Sequence, residues 1–169
     1  MCSSHHIERF TRGLIMKYNA FSRDTAIRYA SQKHADSSII ISIRSSFDKT
    51  LPNIECNNTN NVKDVLFLSF DDIDQYDAKL STSKGLITHK QAKQIVDFCE
   101  KWYKDVDRII VHCDGGVSRS VGIVGAISRW YEGIEDKVFD AKSRYPNMTC
   151  YLYVLDAFRQ IDNIQISKF

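Results

Sequence analysis

The sequence predicts an α/β domain: a small central, mainly parallel sheet flanked by helices, with a helical C-terminal part. Three observations lead there. Short apolar runs (SIIISI over 38–43, VLFLSF over 65–70, RIIVH over 108–112) are set between polar stretches, as buried strands are. Amphipathic helical patterns alternate with them, over residues 23–34 and 89–104. Beyond residue 119 only helical patterns follow.

Taken in order, residues 1–15 (MCSSHHIERFTRGLI) show no period and precede a second methionine, Met16, so they read as a flexible N-terminal extension. Residues 16–169 read as a single domain, with no repeat, low-complexity tract or linker to divide them. Residues 17–21 form a first strand, and Ser22 is an N-cap for the helix over 23–34. Residues 38–43, with three successive isoleucines, form a strand covered on both faces. The Asn-, Asp- and Ser-rich stretch 46–63 is a long connection to the strand at 65–70. An acidic run, DDIDQYD, and a polar loop through Gly85 follow.

Thr88 caps a helix over 89–104, whose Ala92, Ile95, Val96, Phe98, Cys99 and Trp102 share one side. The strand at 108–112 leads into Cys113. A helix over 120–131 turns Val121, Ile123, Val124, Ile127 and Trp130 inward and ends at Gly133. Gly122 and Gly125 cost that helix about 1 kcal/mol each against alanine, and close packing on the sheet would account for them. Two more helices, over 135–144 and 149–161, are separated by Tyr145-Pro146-Asn147.

Apolar content of 43% with 26% charged residues is that of an ordinary globular protein, and 169 residues suffice for one sizeable core. A net charge of +2 gives no reason to expect nucleic acid or a membrane surface as partner. The five cysteines, an odd number without a CxxC pair, read as reduced thiols in a cytoplasm. His5-His6 near Cys2 lacks further ligands at useful spacing, so no metal is expected.

The chemistry is concentrated in VHCDGGVSRS. Chance alone gives roughly 0.3 Cys-x5-Arg pairs in such a composition, but His before, Gly inside and Ser after reduce that to the order of 10⁻⁴. A loop between a strand and a helix N-terminus turns backbone N–H groups inward, and the helix adds partial positive charge. Both favour an anion there, whether the Cys113 thiolate or a phosphate. Gly115 and Gly116 let the backbone come close to an oxyanion, and Arg119 offers a planar fork for two phosphoryl oxygens. Ser120 is placed to hydrogen-bond the Cys113 sulfur, and His112 to organise the loop from behind.

A covalent route also needs an acid for the leaving oxygen and a base for the following water. The acidic run offers Asp71, Asp72, Asp74 and Asp77. Loops at the carboxyl ends of parallel strands share one crevice, which brings this run beside the cysteine loop.

HCDGGVSRS resembles the phosphate-binding loop of the cysteine-based protein tyrosine phosphatases, and Gly116 with Ser118-Arg119-Ser120 is most similar to the compact dual-specificity branch. The order strand, acidic loop, helix, strand, loop, helix resembles that family from about residue 16 to 162. The resemblance implies a phosphomonoester hydrolase without cofactor or metal. In it Cys113 attacks phosphorus, while Arg119 and the amides of Asp114, Gly115, Gly116, Val117, Ser118 and Arg119 hold the oxyanion. Asp72 would be the general acid and base, with Asp71 and Asp74 as alternatives; it stands 41 positions before Cys113, a longer interval than compact members show. The Trp-Pro that precedes the acid in the larger phosphotyrosine-specific enzymes is absent.

The implied substrate is a phosphorylated protein or peptide, and a monomer is the default. Phosphoinositide and RNA 5′-phosphatases use a similar loop; acidic Asp114 and the lack of lysine inside the loop weigh against a densely charged head group. Two further readings remain: a non-catalytic phosphoprotein-binding module, and a thiol redox enzyme. The second would need a resolving thiol, for which the sequence offers Cys56, Cys99 and Cys150; Cys99 and Cys150 read as bystanders, and Cys56, in a polar loop, as a candidate regulatory partner for Cys113 under oxidation.

Overall fold

Four strands, β1 (Lys17–Ser22), β2 (Ser38–Arg44), β3 (Val62–Ser69) and β4 (Arg108–Cys113), pair in the order β1-β4-β2-β3, with every pairing parallel. The computed structural model describes residues 15–56, 58–74, 85–134, 136–139 and 144–166. Five helices accompany the strands among these residues: α1 (Arg23–Ala30), α2 (His89–Trp102), α3 (Arg119–Glu132), the single turn α4 (Asp136–Phe139) and α5 (Met148–Ile166). Of the expected extension over 1–15, only the exposed Ile15 lies within the described residues.

Alternation along the central strands divides the core in two. Ile39, Ile41 and Ile43 of β2 and Ile109, Val111 and Cys113 of β4 join the large cluster with α2, α3 and α5. Ile40 and Ile110 point the other way, onto Ala26 and Ala30 of α1 with Ile54 and Val62. Each of these fully buried isoleucines stabilises the fold by roughly 1.5–3 kcal/mol. The expectation of a strand covered on both faces thus holds for β2, and the sheet is parallel throughout.

Local signals place most boundaries. Ser22 Oγ accepts from Thr25 N at the start of α1, and Thr88 and Gln91 form a reciprocal capping box on α2. Gly133 closes α3 at φ 69°, with its N–H on Arg129 O. Tertiary contacts move others. α1 stops at Ala30 rather than running to residue 34, because Asn60 Nδ2 takes Ala30 O at 2.8 Å and Asn61 Nδ2 takes His34 O at 2.7 Å. β3 begins at Val62, three residues before its apolar run, and ends at Ser69.

The close packing expected of Gly122 and Gly125 is present, but not against the sheet. A Cβ on Gly122 would lie 2.3 Å from Asn147 O, and one on Gly125 would lie 2.4 Å from the Phe139 ring. Both glycines bring α3 against the C-terminal helical part. Of the helix expected over 135–144, residues 136–139 form α4 while the described Arg144 is not helical, and α5 is longer than expected at both ends. Among the described residues no helix is long and apolar enough to cross a membrane.

Candidate active site

Cys113 is the last residue of β4 and pairs in register with Ser22, so its loop rises from the middle of the sheet beside the start of α1. Arg23 N donates to Asp114 O at 3.2 Å. Gly116, at φ 70°, packs on that junction: a Cβ there would lie 2.5 Å from both Phe21 C and Ser22 N. Glycine is required at 116 for conformation and for space. Gly115 is not so constrained by the protein itself; its Cβ would meet only Val117 Cγ2 at 3.8 Å.

Cys113 Sγ and Ser120 Oγ lie 3.2 Å apart, both buried, at the N-terminus of α3. Arg119, 3% exposed, is anchored twice. Nη1 donates to Phe70 O at 2.7 Å, and Nη2 donates to Asp114 Oδ2 at 2.7 Å. Its buried Nε has no partner among the described residues. A charged donor left over in this way is costly unless an acceptor arrives, and a phosphoryl oxygen is such an acceptor.

Asp114 is less a rim charge than a clamp. Its Oδ2 also accepts from Ser45 Oγ at 2.7 Å, and Oδ1 is ion-paired with Arg23 at 3.2 Å, Arg23 being held in turn by Asp48. Burial alone would raise its carboxyl; Ser45, then Arg119 and Arg23, outweigh that and hold it below the ordinary range. With two guanidiniums on it, Asp114 does not present the bare negative charge on which the sequence argument against polyanionic head groups relied.

The three candidate acids have different surroundings. Asp71 is fastened to Ser46, accepting from its N and its Oγ at 2.7 Å each. Asp74 accepts from Thr149 Oγ1 at 2.9 Å, away from the loop. Asp72 borders the loop itself: its Oδ1 accepts from Ser118 Oγ at 2.7 Å and from Asn147 Nδ2 at 2.9 Å. Asp77 lies outside the described residues.

Among solved structures, one of PTPMT1 aligns with 89% of this chain and 95% of its own at 13% identity and a TM-score of 0.54. One of Tk-PTP in the active form aligns with 85% and 90% at 16% identity and a TM-score of 0.51. A mouse putative dual specificity phosphatase complexed with zinc tungstate aligns with 87% and 81% at 16% identity and a TM-score of 0.49. The chain has a protein tyrosine phosphatase-like fold. No protein-family model matches the sequence, and no curated protein matches it.

Within this phosphatase fold His112 sits behind the loop. Consecutive residues on a strand face opposite ways, so Cys113 joins the large core while His112 meets Ser42 on the other face, Nε2 to Oγ at 2.8 Å. Complete burial pushes its ring down to about 4. A histidine lowered in the fold keeps its stabilising contribution above its unfolded value near 6.5 and loses it as pH falls towards 4, because the unfolded chain binds the proton first. The expected cost over that window is about 3 kcal/mol. Urea unfolding at pH 7, 5.5 and 4.5 checks it: His112→Gln should flatten the pH slope, and an equally steep slope in the variant would remove His112 as its source.

The structure adds residues that the sequence did not flag: Ser42 on His112, Ser45 and Arg23 on Asp114, Phe70 O on Arg119, and Asn147 on Asp72. Cys56 is misplaced as a partner for Cys113. Its Sγ lies 4.0 Å from Asp64, which aligns through Ile39 with Ile109, four residues before Cys113 and about 13 Å along the strand. Cys99 and Cys150 are buried, and burial pushes both thiols up. Among the described residues no group of three or more His, Cys, Asp or Glu could hold a metal ion.

Proposed function

We propose that this chain is a phosphomonoester hydrolase acting through a phosphocysteine intermediate, with phosphotyrosine or phosphoserine/threonine in proteins as substrate. The observation that carries this reading is the convergence on one loop of Cys113 with Ser120 on its sulfur, Arg119 anchored by Phe70 O and Asp114, and Asp72 bonded to Ser118. Cys113 Sγ attacks phosphorus as the bond to the leaving oxygen breaks, and Asp72 gives that oxygen its proton. Arg119 and the loop amides hold the equatorial oxygens as charge develops on them, which is electrostatic work that needs no metal. Water then attacks phosphocysteine with Asp72 as base, and Ser120 Oγ–H stabilises the departing sulfur. His112, neutral and behind the loop, keeps its shape.

Phosphoinositides and 5′-phosphorylated RNA are the second reading, and the pairing of Asp114 with Arg23 and Arg119 favours keeping it. A turnover panel of phosphopeptides, phosphoinositides and 5′-phosphorylated RNA in chelator, with vanadate as inhibitor, separates them. No turnover of any member between pH 5 and 7.5 would leave the non-catalytic binding module. Asp72→Asn is expected to slow alkyl phosphates about 10²–10³-fold, far more than activated aryl phosphates, because only the former need a proton on leaving. An unchanged ratio would move the role to Asp71 or Asp74.

A further inference from the structure

We propose that Asn147 is a positioning residue for the general acid, fixing which oxygen of Asp72 carries the transferred proton; this rests on the phosphatase reading above. Asn147 is 3% exposed and is the last residue of the loop ahead of α5, against the phosphate loop. Its N–H donates to Ser118 O at 3.1 Å, and two residues earlier Tyr145 N donates to Val117 O at 2.9 Å, so this segment is braced along the phosphate loop. Gly122 permits the approach, since a Cβ there would meet Asn147 O at 2.3 Å.

The orientation of the amide is dictated by its partners. Nδ2 donates to Asp72 Oδ1 at 2.9 Å and to Ile73 O at 3.2 Å, while Oδ1 accepts from Cys150 N at 2.9 Å. A flipped amide would set oxygen against a carboxylate and a carbonyl, and NH₂ against an N–H. Asp72 Oδ1 therefore receives two donors, Asn147 Nδ2 and Ser118 Oγ. An oxygen so occupied acts as the carbonyl-type acceptor of the protonated acid, and the proton resides on Oδ2. In the first step Oδ2–H passes its proton to the leaving oxygen as the P–O bond breaks. In the second step Oδ2 takes one from water as the P–S bond breaks.

The rival explanation is that Asn147 only caps α5, since Asn is a favoured N-cap and its Oδ1 serves the third helical residue. Asn147→Ser and Asn147→Asp both retain a cap acceptor but lose the amide donor, so a capping role predicts little change in either. Positioning predicts about a tenfold loss of kcat on phenyl phosphate relative to p-nitrophenyl phosphate for Asn147→Ser. The loss should be larger for Asn147→Asp, whose carboxylate repels Asp72. KM and inhibition by inorganic phosphate should stay within about twofold, and adding Asn147→Ser to Asp72→Asn should cost nothing further.

Melting temperatures of the variants confirm that the fold is kept. Leaving-group dependence that changes in Asp72→Asn but in neither Asn147 variant overturns the inference alone. Unchanged dependence in Asp72→Asn overturns it together with the acid assignment. An inactive wild-type protein overturns the phosphatase reading itself.

Discussion

Cys113→Ser is expected to abolish turnover, lowering kcat on p-nitrophenyl phosphate by about 10⁴-fold or more while leaving phosphopeptide binding intact. The hydroxyl matches the thiol closely in shape, and Cys113 is 3% exposed, so the loop should keep its form. What is lost is the nucleophile: a serine hydroxyl stays protonated at neutral pH, and His112 faces the opposite side of the sheet and cannot activate it. What remains is the oxyanion site, with Arg119 still fastened to Phe70 O and Asp114. Calorimetric titration with a phosphopeptide alongside stopped-assay rates checks both halves. Activity within tenfold of wild type would show that hydrolysis does not pass through the Cys113 sulfur.

Arg119→Lys is expected to cost about 10³-fold in kcat/KM, or ~4 kcal/mol at 1.36 kcal/mol per decade. The substitution retains a positive charge, so the loss measures geometry. The guanidinium spans Phe70 O at the end of β3 and the Asp114 carboxylate of the loop, and still has Nε in hand. A single ammonium on a flexible stem cannot reproduce that planar arrangement and also hold two equatorial oxygens. The fold should survive, because Asp114 keeps Arg23 and Ser45. Rates measured with phosphate inhibition show where the loss falls, and a lysine variant within tenfold of wild type would take the fork off the phosphate.

What the sequence shows of this fold is what local chemistry determines. Ser22, Thr88 and Gly133 mark helix ends through bonds made within a few residues of themselves, and all three ends are where the pattern puts them. The start of β3 is harder, because Val62-Lys63-Asp64 is strand by virtue of pairing with β2 at the sheet edge rather than by hydrophobicity. The end of α1 depends on two asparagines some thirty residues away in the chain.

At the site, the cysteine loop is legible because its demands fall on adjacent positions. Ser42, Ser45, Arg23 and Asn147 are not, since a lone Ser or Asn serving a distant partner leaves no spacing to recognise. One rule would have pointed to several of them. Ser22-Arg23, Ser45-Ser46, Asp71-Asp72 and the cysteine loop all stand just past the carboxyl ends of the four strands, where the crevice of such a sheet lies. Choosing among the aspartates needed their partners, which only the folded chain provides.

The contact of Asn147 with both Asp72 and Ser118 also bears on the order of events in synthesis. Cys113, Arg119 and Asp72, the residues to which the proposed mechanism gives the nucleophile, the phosphate fork and the acid, have all been added to the growing chain well before residue 147. Until that asparagine is in place, the Asp72 carboxylate has only Ser118 to hold it to the phosphate loop among the described residues, and Gly122 has nothing to receive. A chain cut short of residue 147 would therefore carry Cys113 without the Asn147 bond to Asp72. On the proposed mechanism, competence waits for Asn147 and the start of α5.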